Sequence, residues 1–145
     1  MSTPSPAARP RIGVLAIQGD FEAHARALAR AGADAVLVRE AKDGLDALVL
    51  PGGESTTIAK GMERLGLYEP LRAFVESGHP VLGTCAGAIL LARAVENHPV
   101  PSLGLVDVVA VRNAYGTQVD SFIASADAGA AAGLAGLRCV FIRAP

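Results

Sequence analysis

Val81-Leu82-Gly83-Thr84-Cys85-Ala86-Gly87-Ala88-Ile89-Leu90-Leu91-Ala92 is the stretch on which the reading of this chain turns. A short strand-forming run, Val81 to Thr84, passes without a spacer into alanine- and leucine-rich sequence, which predicts a strand turning sharply into a helix from Ala86 to about Glu96. Within it, Gly83-Thr84-Cys85-Ala86-Gly87 has the form of a nucleophile elbow. A side chain thrust out on such a turn needs glycine two positions before and after, because a Cβ there would collide with the neighbouring strand and helix. Cys85 would then feel the positive end of the helix dipole, which favours thiolate over thiol. The backbone N–H of Ala86 would point where an oxyanion forms. The alternative for Cys85 is a small buried residue in a tight turn.

Working outward, the same grammar repeats. Ile12 to Ile17 is apolar on consecutive positions, as a strand covered on both faces is. Phe21 to Ala31 reads as a helix started near Asp20 and stopped at Gly32; Val36 to Val38 and Ala47 to Leu50 read as strands. Thr57 to Gly66 and Glu69 to Gly78 have helical character, and beyond Leu105 come strand candidates Val106 to Val111, Gln118 to Ile123 and Arg138 to Ile142. Ser125 to Gly136, rich in alanine and glycine, is expected to be a flexible connection. Alternating strands and helices predict an α/β fold, a doubly wound and mostly parallel sheet with flavodoxin-like layering, whose ligand site lies at the carboxyl ends of the strands. The expected organisation is a loose tail over residues 1–11 and one domain over 12–145.

A second motif, Pro51-Gly52-Gly53-Glu54-Ser55-Thr56-Thr57, follows the strand Ala47 to Leu50. Its paired glycines allow close approach of a ligand to the backbone, and the Gly53 N–H is a candidate second oxyanion donor. Ser55 or Thr56 is the expected cap of the next helix, and an ordinary turn with its N-cap is the alternative for the whole motif. No Gly-Lys-Ser/Thr closes it, which argues against a phosphate loop.

Composition narrows the function classes. The chain has 145 residues, 51% hydrophobic and 19% charged, enough apolar content for a sizeable core. A formal net charge of −1 without a basic stripe gives nucleic acid no electrostatic reason to bind. Two cysteines, Cys85 and Cys139, are too few for a disulfide framework and suit a reducing compartment. Ser2 to Pro10 lacks the apolar core of a secretory signal, and the run Val81 to Ala92 is too short to span a bilayer, so a cytoplasmic location is expected. No His/Cys/carboxylate cluster has metal-ligand spacing, and no cofactor is implied.

A cysteine nucleophile needs a base, and the histidines are His24, His79 and His98. His79 precedes the elbow strand, about 20 Å away along an extended chain. His98, placed past the far end of the elbow helix, would be about 15 to 20 Å away. His24 opens a helix entered from the carboxyl edge, so distance leaves it open as a base, with packing or a partner contact as the alternative.

Taken together, Gly13-Val14-Leu15-Ala16-Ile17-Gln18-Gly19, the two motifs above, Arg112-Asn113-Ala114-Tyr115-Gly116-Thr117-Gln118-Val119-Asp120-Ser121-Phe122 and Phe141-Ile142-Arg143-Ala144-Pro145 resemble, in order and spacing, the glutaminase subunits of pyridoxal 5'-phosphate synthase. These are class I glutamine amidotransferases, and the Arg112 to Phe122 segment argues against other members of that class, such as those of purine or histidine synthesis. The resemblance implies hydrolysis of L-glutamine to glutamate and ammonia, the ammonia passing to the catalytic synthase subunit of a hetero-oligomer that makes vitamin B6. It implies Cys85 as nucleophile, Gly53 and Ala86 at the oxyanion hole, and Gly53, Glu54, Ser55, Arg112, Ile142 and Arg143 as glutamine-binding. It places Gln18 at an activating peptide near the oxyanion hole when the partner docks. Arg112 and Arg143 suit a substrate carboxylate chemically, although either alone could be a surface arginine. The family's charge-relay histidine and glutamate stand in a His-x-Glu element beyond the Ile142 to Pro145 segment, together with its last strands and a covering helix. The expectation for the 145 residues is therefore weak glutaminase activity, or a module that binds glutamine or the synthase without turnover, with apolar sheet surface exposed around Arg138 to Ile142 and low stability or aggregation.

Overall fold

The computed structural model describes residues 8–40, 42–114, 121–125, 133 and 136–141. Strand β1 (Arg11–Leu15), helix α1 (Phe21–Arg30), β2 (Asp34–Val38), β3 (Ala47–Leu50), helices α2 (Ser55–Arg64) and α3 (Tyr68–Glu76), and β4 (Val81–Gly83) follow one another in the first part of the chain. All three pairings in this sheet are parallel, in the order β2-β1-β3-β4. Its inner strands are buried on consecutive positions, Val14 and Leu15 in β1 and Leu48, Val49 and Leu50 in β3. That is the pattern of a strand with cover on both faces. From α2, Ile58, Ala59 and Met62 pack into the same core as Leu15 and Leu50, and α3 adds Leu71. The chain goes from β1 out to β2 and returns past β1 to β3, so the topological switch point lies between β1 and β3. The loops that leave the carboxyl ends of these two strands carry Gln18 and Gly53.

After β4 come α4 (Ala86–Leu91), β5 (Ala92–Glu96), β6 (Val106–Val111), β7 (Phe122–Ser125) and β8 (Arg138–Phe141). The expected helix from Ala86 to Glu96 is corrected here: it ends at Leu91, and Ala92 swings to an extended ψ of 153° to begin a strand. Ala92, Arg93, Ala94 and Glu96 are acceptable helix residues, so propensity gave no warning. What overrides it is the parallel ladder of β5 on β6, with Ala94 opposite Val109 and Val95 opposite Ala110. The returning chain also takes up carbonyls at the end of α4, through Leu103 N–H to Leu90 O (2.7 Å) and Leu105 N–H to Leu91 O (2.9 Å). Those carbonyls would otherwise lack intrahelical donors. The distance estimate for His98, which ran along the longer helix, falls with it.

Strands β7 and β8 form a separate antiparallel pair, Phe122 opposite Phe141, with the two rings stacked 4.7 Å apart. Of the expected strand Gln118 to Ile123, residues 118–120 lie outside the described residues, and β7 starts at Phe122. Residues 1–7 of the expected tail and 126–132 and 134–135 of the expected connection lie outside them too. Strand β1 begins at Arg11, and Pro10 already accepts a hydrogen bond from the Asp34 N–H. Among the described residues no helix is long and apolar enough to cross a membrane.

Candidate active site

At the junction of β4 and α4 the backbone of Cys85 has φ 49° and ψ −113°, a conformation that costs a non-glycine residue about 1–3 kcal/mol and persists only where its surroundings over-determine it. The surroundings are visible. Thr84 N–H bonds to Leu50 O of β3 (3.1 Å), and Gly87 N–H bonds to Thr84 O (2.9 Å). A Cβ on Gly87 would lie 1.9 Å from Leu50 O, and one on Gly83 would lie 2.7 Å from the Gly87 backbone. Both glycines are therefore required by close approach, as the sequence motif implied. Cys85 is exposed, so the alternative of a buried residue in a tight turn does not hold. Ala86, next in the chain, is buried in the first turn of a helix only six residues long.

The loop after β3 lies against this elbow: a Cβ on Gly52 would come 3.3 Å from the Cys85 Cβ. The loop after β1 lies against it in turn. Asp20 N–H bonds to Gly52 O (3.1 Å), and Glu54 N–H bonds to the Gln18 side-chain Oε1 (2.8 Å). Gly53 has φ 154°, and a Cβ there would sit 2.5 Å from that same Gln18 Oε1. Gln18, Gly53 and Cys85, read separately in the sequence, thus meet at the switch point.

Helix α2 is capped by Glu54, not by Ser55 or Thr56 as expected. Its carboxylate accepts from Thr56 N–H (3.1 Å), Thr57 N–H (2.7 Å) and the Thr57 hydroxyl (2.8 Å). A glutamate reaches back to two amides where a serine hydroxyl would satisfy one, and it also places negative charge at the helix N-terminus. Ser55 is instead the first residue of the helix and is buried, 4% exposed. Partial burial pushes the Glu54 carboxyl up, but the hydrogen bonds from Thr57 and Thr56 outweigh it, and the net pKa is lowered.

Arg112 comes to Glu54 from 58 residues away, its Nη2 lying 3.4 Å from Oε1. It stands just past β6 and is held there by its own hydrogen bonds. Its N–H goes to Glu96 O (3.1 Å), its carbonyl accepts from Asn97 Nδ2 (2.6 Å), and its Nη1 donates to His98 O (2.7 Å). The backbone of His98 therefore sits at the same edge as Glu54, on a turn where Asn97 and His98 have φ of 52° and 66°. Ile142 and Arg143 lie outside the described residues.

The histidines sort clearly. His79 Nδ1 is 2.9 Å from Ser77 Oγ and its ring stacks on Phe74, a local arrangement beside the amino end of β4. His24 reaches into the site, with Nε2 2.6 Å from Thr84 Oγ1. Sequence reasoning left His24 open and gave Thr84 no part. Their pairing spans 60 positions, and neither residue alone carries a signal of it. Asn97, which orients Arg112, was missed as well, because the turn depends on β5 being a strand. Among the described residues no group of three His, Cys, Asp or Glu could hold a metal ion.

Residues 14–145 match the model of the SNO glutamine amidotransferase family. The chain belongs to this family. It is 53% identical over 146 residues to the pyridoxal 5'-phosphate synthase subunit PdxT of Acidothermus cellulolyticus, covering 97% of this chain and 69% of that relative. It is 54% identical over 142 residues to the subunit of the same name from Frankia casuarinae, covering 94% and 70%. A crystal structure of a glutamine amidotransferase matches with a TM-score of 0.79 and 45% identity, covering 92% of this chain and 71% of that one. The SNO-family chain thus has the α/β layering with a parallel sheet expected of it, and spans about 70% of the length of these relatives.

Proposed function

We propose that this chain is the glutamine-hydrolysing subunit of a pyridoxal 5'-phosphate synthase, with Cys85 as its nucleophile. The observation that carries the reading is the exposed Cys85 on a strained elbow packed against Gly52, in the loop where Gly53 lies against Gln18 and Glu54 bonds to Gln18 and to Arg112. In this reading the Cys85 thiolate attacks the side-chain carbonyl carbon of L-glutamine. The developing oxyanion is met by the backbone N–H groups of Gly53 and Ala86, donors that need no reorganisation during reaction. The C–N bond breaks as the leaving nitrogen takes up the proton that the Cys85 thiol gave up, ammonia departs, and water hydrolyses the thioester to glutamate and restores the thiol. Arg112 suits the substrate α-carboxylate as a planar, permanently charged donor, and Glu54, kept ionised by its threonines, suits the α-ammonium. Ser55, Ile142 and Arg143 complete the proposed binding set. Gln18, bonded to the Glu54 amide, is the proposed point at which docking of the synthase subunit acts on the Gly53 peptide. The ammonia passes to that subunit, and a cytoplasmic location belongs to the same proposal, since a free thiol nucleophile suits a reducing compartment.

A second reading, a module that binds glutamine or the synthase without turnover, is favoured by the placement of two of the three histidines. His24 Nε2 lies on a threonine hydroxyl and His79 packs at the far edge. Glutamate release from glutamine by the 145-residue chain, with and without a synthase subunit and beside Cys85→Ala, separates the two. Turnover that needs the synthase and disappears in C85A supports the hydrolase. Glutamine binding with no release above C85A would leave the binding module.

A further inference from the structure

Thr84 immediately precedes Cys85, and its three polar groups are each tied to a different element. Its N–H goes to Leu50 O on β3 (3.1 Å), its carbonyl takes the Gly87 N–H of α4 (2.9 Å), and its hydroxyl meets His24 Nε2 of α1 (2.6 Å). The first two are backbone bonds that any residue would make. The third depends on side chains at both ends. It is also the one that ties the elbow to α1, whose preceding loop is bonded to Gly52 and Glu54.

The geometry points to His24 as a positioning residue for Cys85, acting through the Thr84 hydroxyl; this rests on the reading of Cys85 as the nucleophile. Left-handed φ at Cys85 relaxes unless the residue before it is held, and the half-buried imidazole supplies the side-chain part of that hold. A hydroxyl both donates and accepts, so the pair keeps its hydrogen bond whichever nitrogen of His24 carries the proton and when both do. The role is therefore one of bonding geometry rather than proton transfer. A glutamine at position 24, which can hydrogen-bond but cannot act as a base, should fulfil it.

The test is the rate of carboxamidomethylation by iodoacetamide at Cys85, resolved from Cys139 by peptide mass mapping in the whole chain. His24→Ala and Thr84→Val should each slow Cys85 about fivefold or more, and the double variant should be no slower than the slower single, as expected when one bond is removed twice. His24→Gln should stay within about twofold of wild type, and Cys139 should not change in any of them. Unchanged Cys85 rates in H24A and T84V would overturn the proposal, as would H24Q as slow as H24A, which would demand the imidazole itself. Should H24A lose its fold by circular dichroism, T84V decides alone: an unchanged Cys85 rate sinks the idea. Protection of wild-type Cys85 by glutamine is read in the same samples. Its absence would count against the glutaminase reading while leaving the comparison of His24 variants intact.

Discussion

The four strands β1 to β4 and the four strands β5 to β8 are written in the same residues and live in different surroundings. In the first set Val14, Leu15, Leu48, Val49 and Leu50 are almost wholly buried between layers. In the second, Val106, Val108, Val109 and Val111 of β6, Phe122 and Ile123 of β7 and Val140 of β8 are exposed, Val140 to 62%. Consecutive apolar residues say that a strand can be covered on both faces; they do not say that the cover is there. Leu82 on β4, the edge of the parallel sheet, is exposed to 57% and marks where the first region begins to resemble the second. The candidate site draws on both, with Cys85, Gly53 and Gln18 held by the buried sheet and Arg112 by the exposed ladder.

If burial separates the two regions, equivalent substitutions should differ between them, and the largest difference belongs to the elbow. Gly87→Ala places a methyl 1.9 Å from the Leu50 carbonyl, which is backbone and cannot step aside. A loss of about 3 kcal/mol or more in unfolding free energy is expected by urea titration, against about 0.5 kcal/mol or less for Val108→Thr on the exposed ladder. Next in size, Met62→Ala in the core should cost about 2–5 kcal/mol, whereas Val109→Ala should cost under about 1 kcal/mol. Equal losses at the two sites would erase the distinction.

Glu54→Ala removes the cap of α2 and should cost about 1 kcal/mol at neutral pH. The folded carboxyl titrates below its unfolded value, so this contribution is complete above the ordinary carboxylate range and is lost as pH falls through the folded value. The Tm difference between wild type and E54A should therefore shrink on acidification from pH near 6 to pH near 3, roughly the carboxylate range. A difference that grew in acid would contradict the assigned hydrogen bonds. Smallest in stability but visible in light scattering, Val108→Lys and Val140→Lys should leave Tm within a few degrees while reducing self-association, since they break exposed apolar strand surface.

Much of the first region was legible in the sequence. Glycines at 83 and 87, the paired glycines at 52 and 53, and the consecutive apolar strands each have one dominant physical reason, and the structure supplies it. Helix α4 was overextended because its last residues suit either state, and only the ladder with β6, formed across a turn at Asn97 and His98, decides between them. The cap at Glu54 was misassigned to the more common serine or threonine, because the carboxylate's two bonds back to Thr56 and Thr57 depend on the loop's conformation. His24 and Thr84 meet only once α1, packed on β1 and β2, brings its first turn to the elbow that follows β4, a tertiary fact with no local signature.

The most direct measurement of the claim that Cys85 is a glutamine-directed nucleophile is covalent capture by 6-diazo-5-oxo-L-norleucine, with the adduct located by peptide mass mapping. One adduct on Cys85, slowed by added L-glutamine and absent from Cys139, is the expected result. Labelling that ignores glutamine, or that falls equally on the two cysteines, would contradict it.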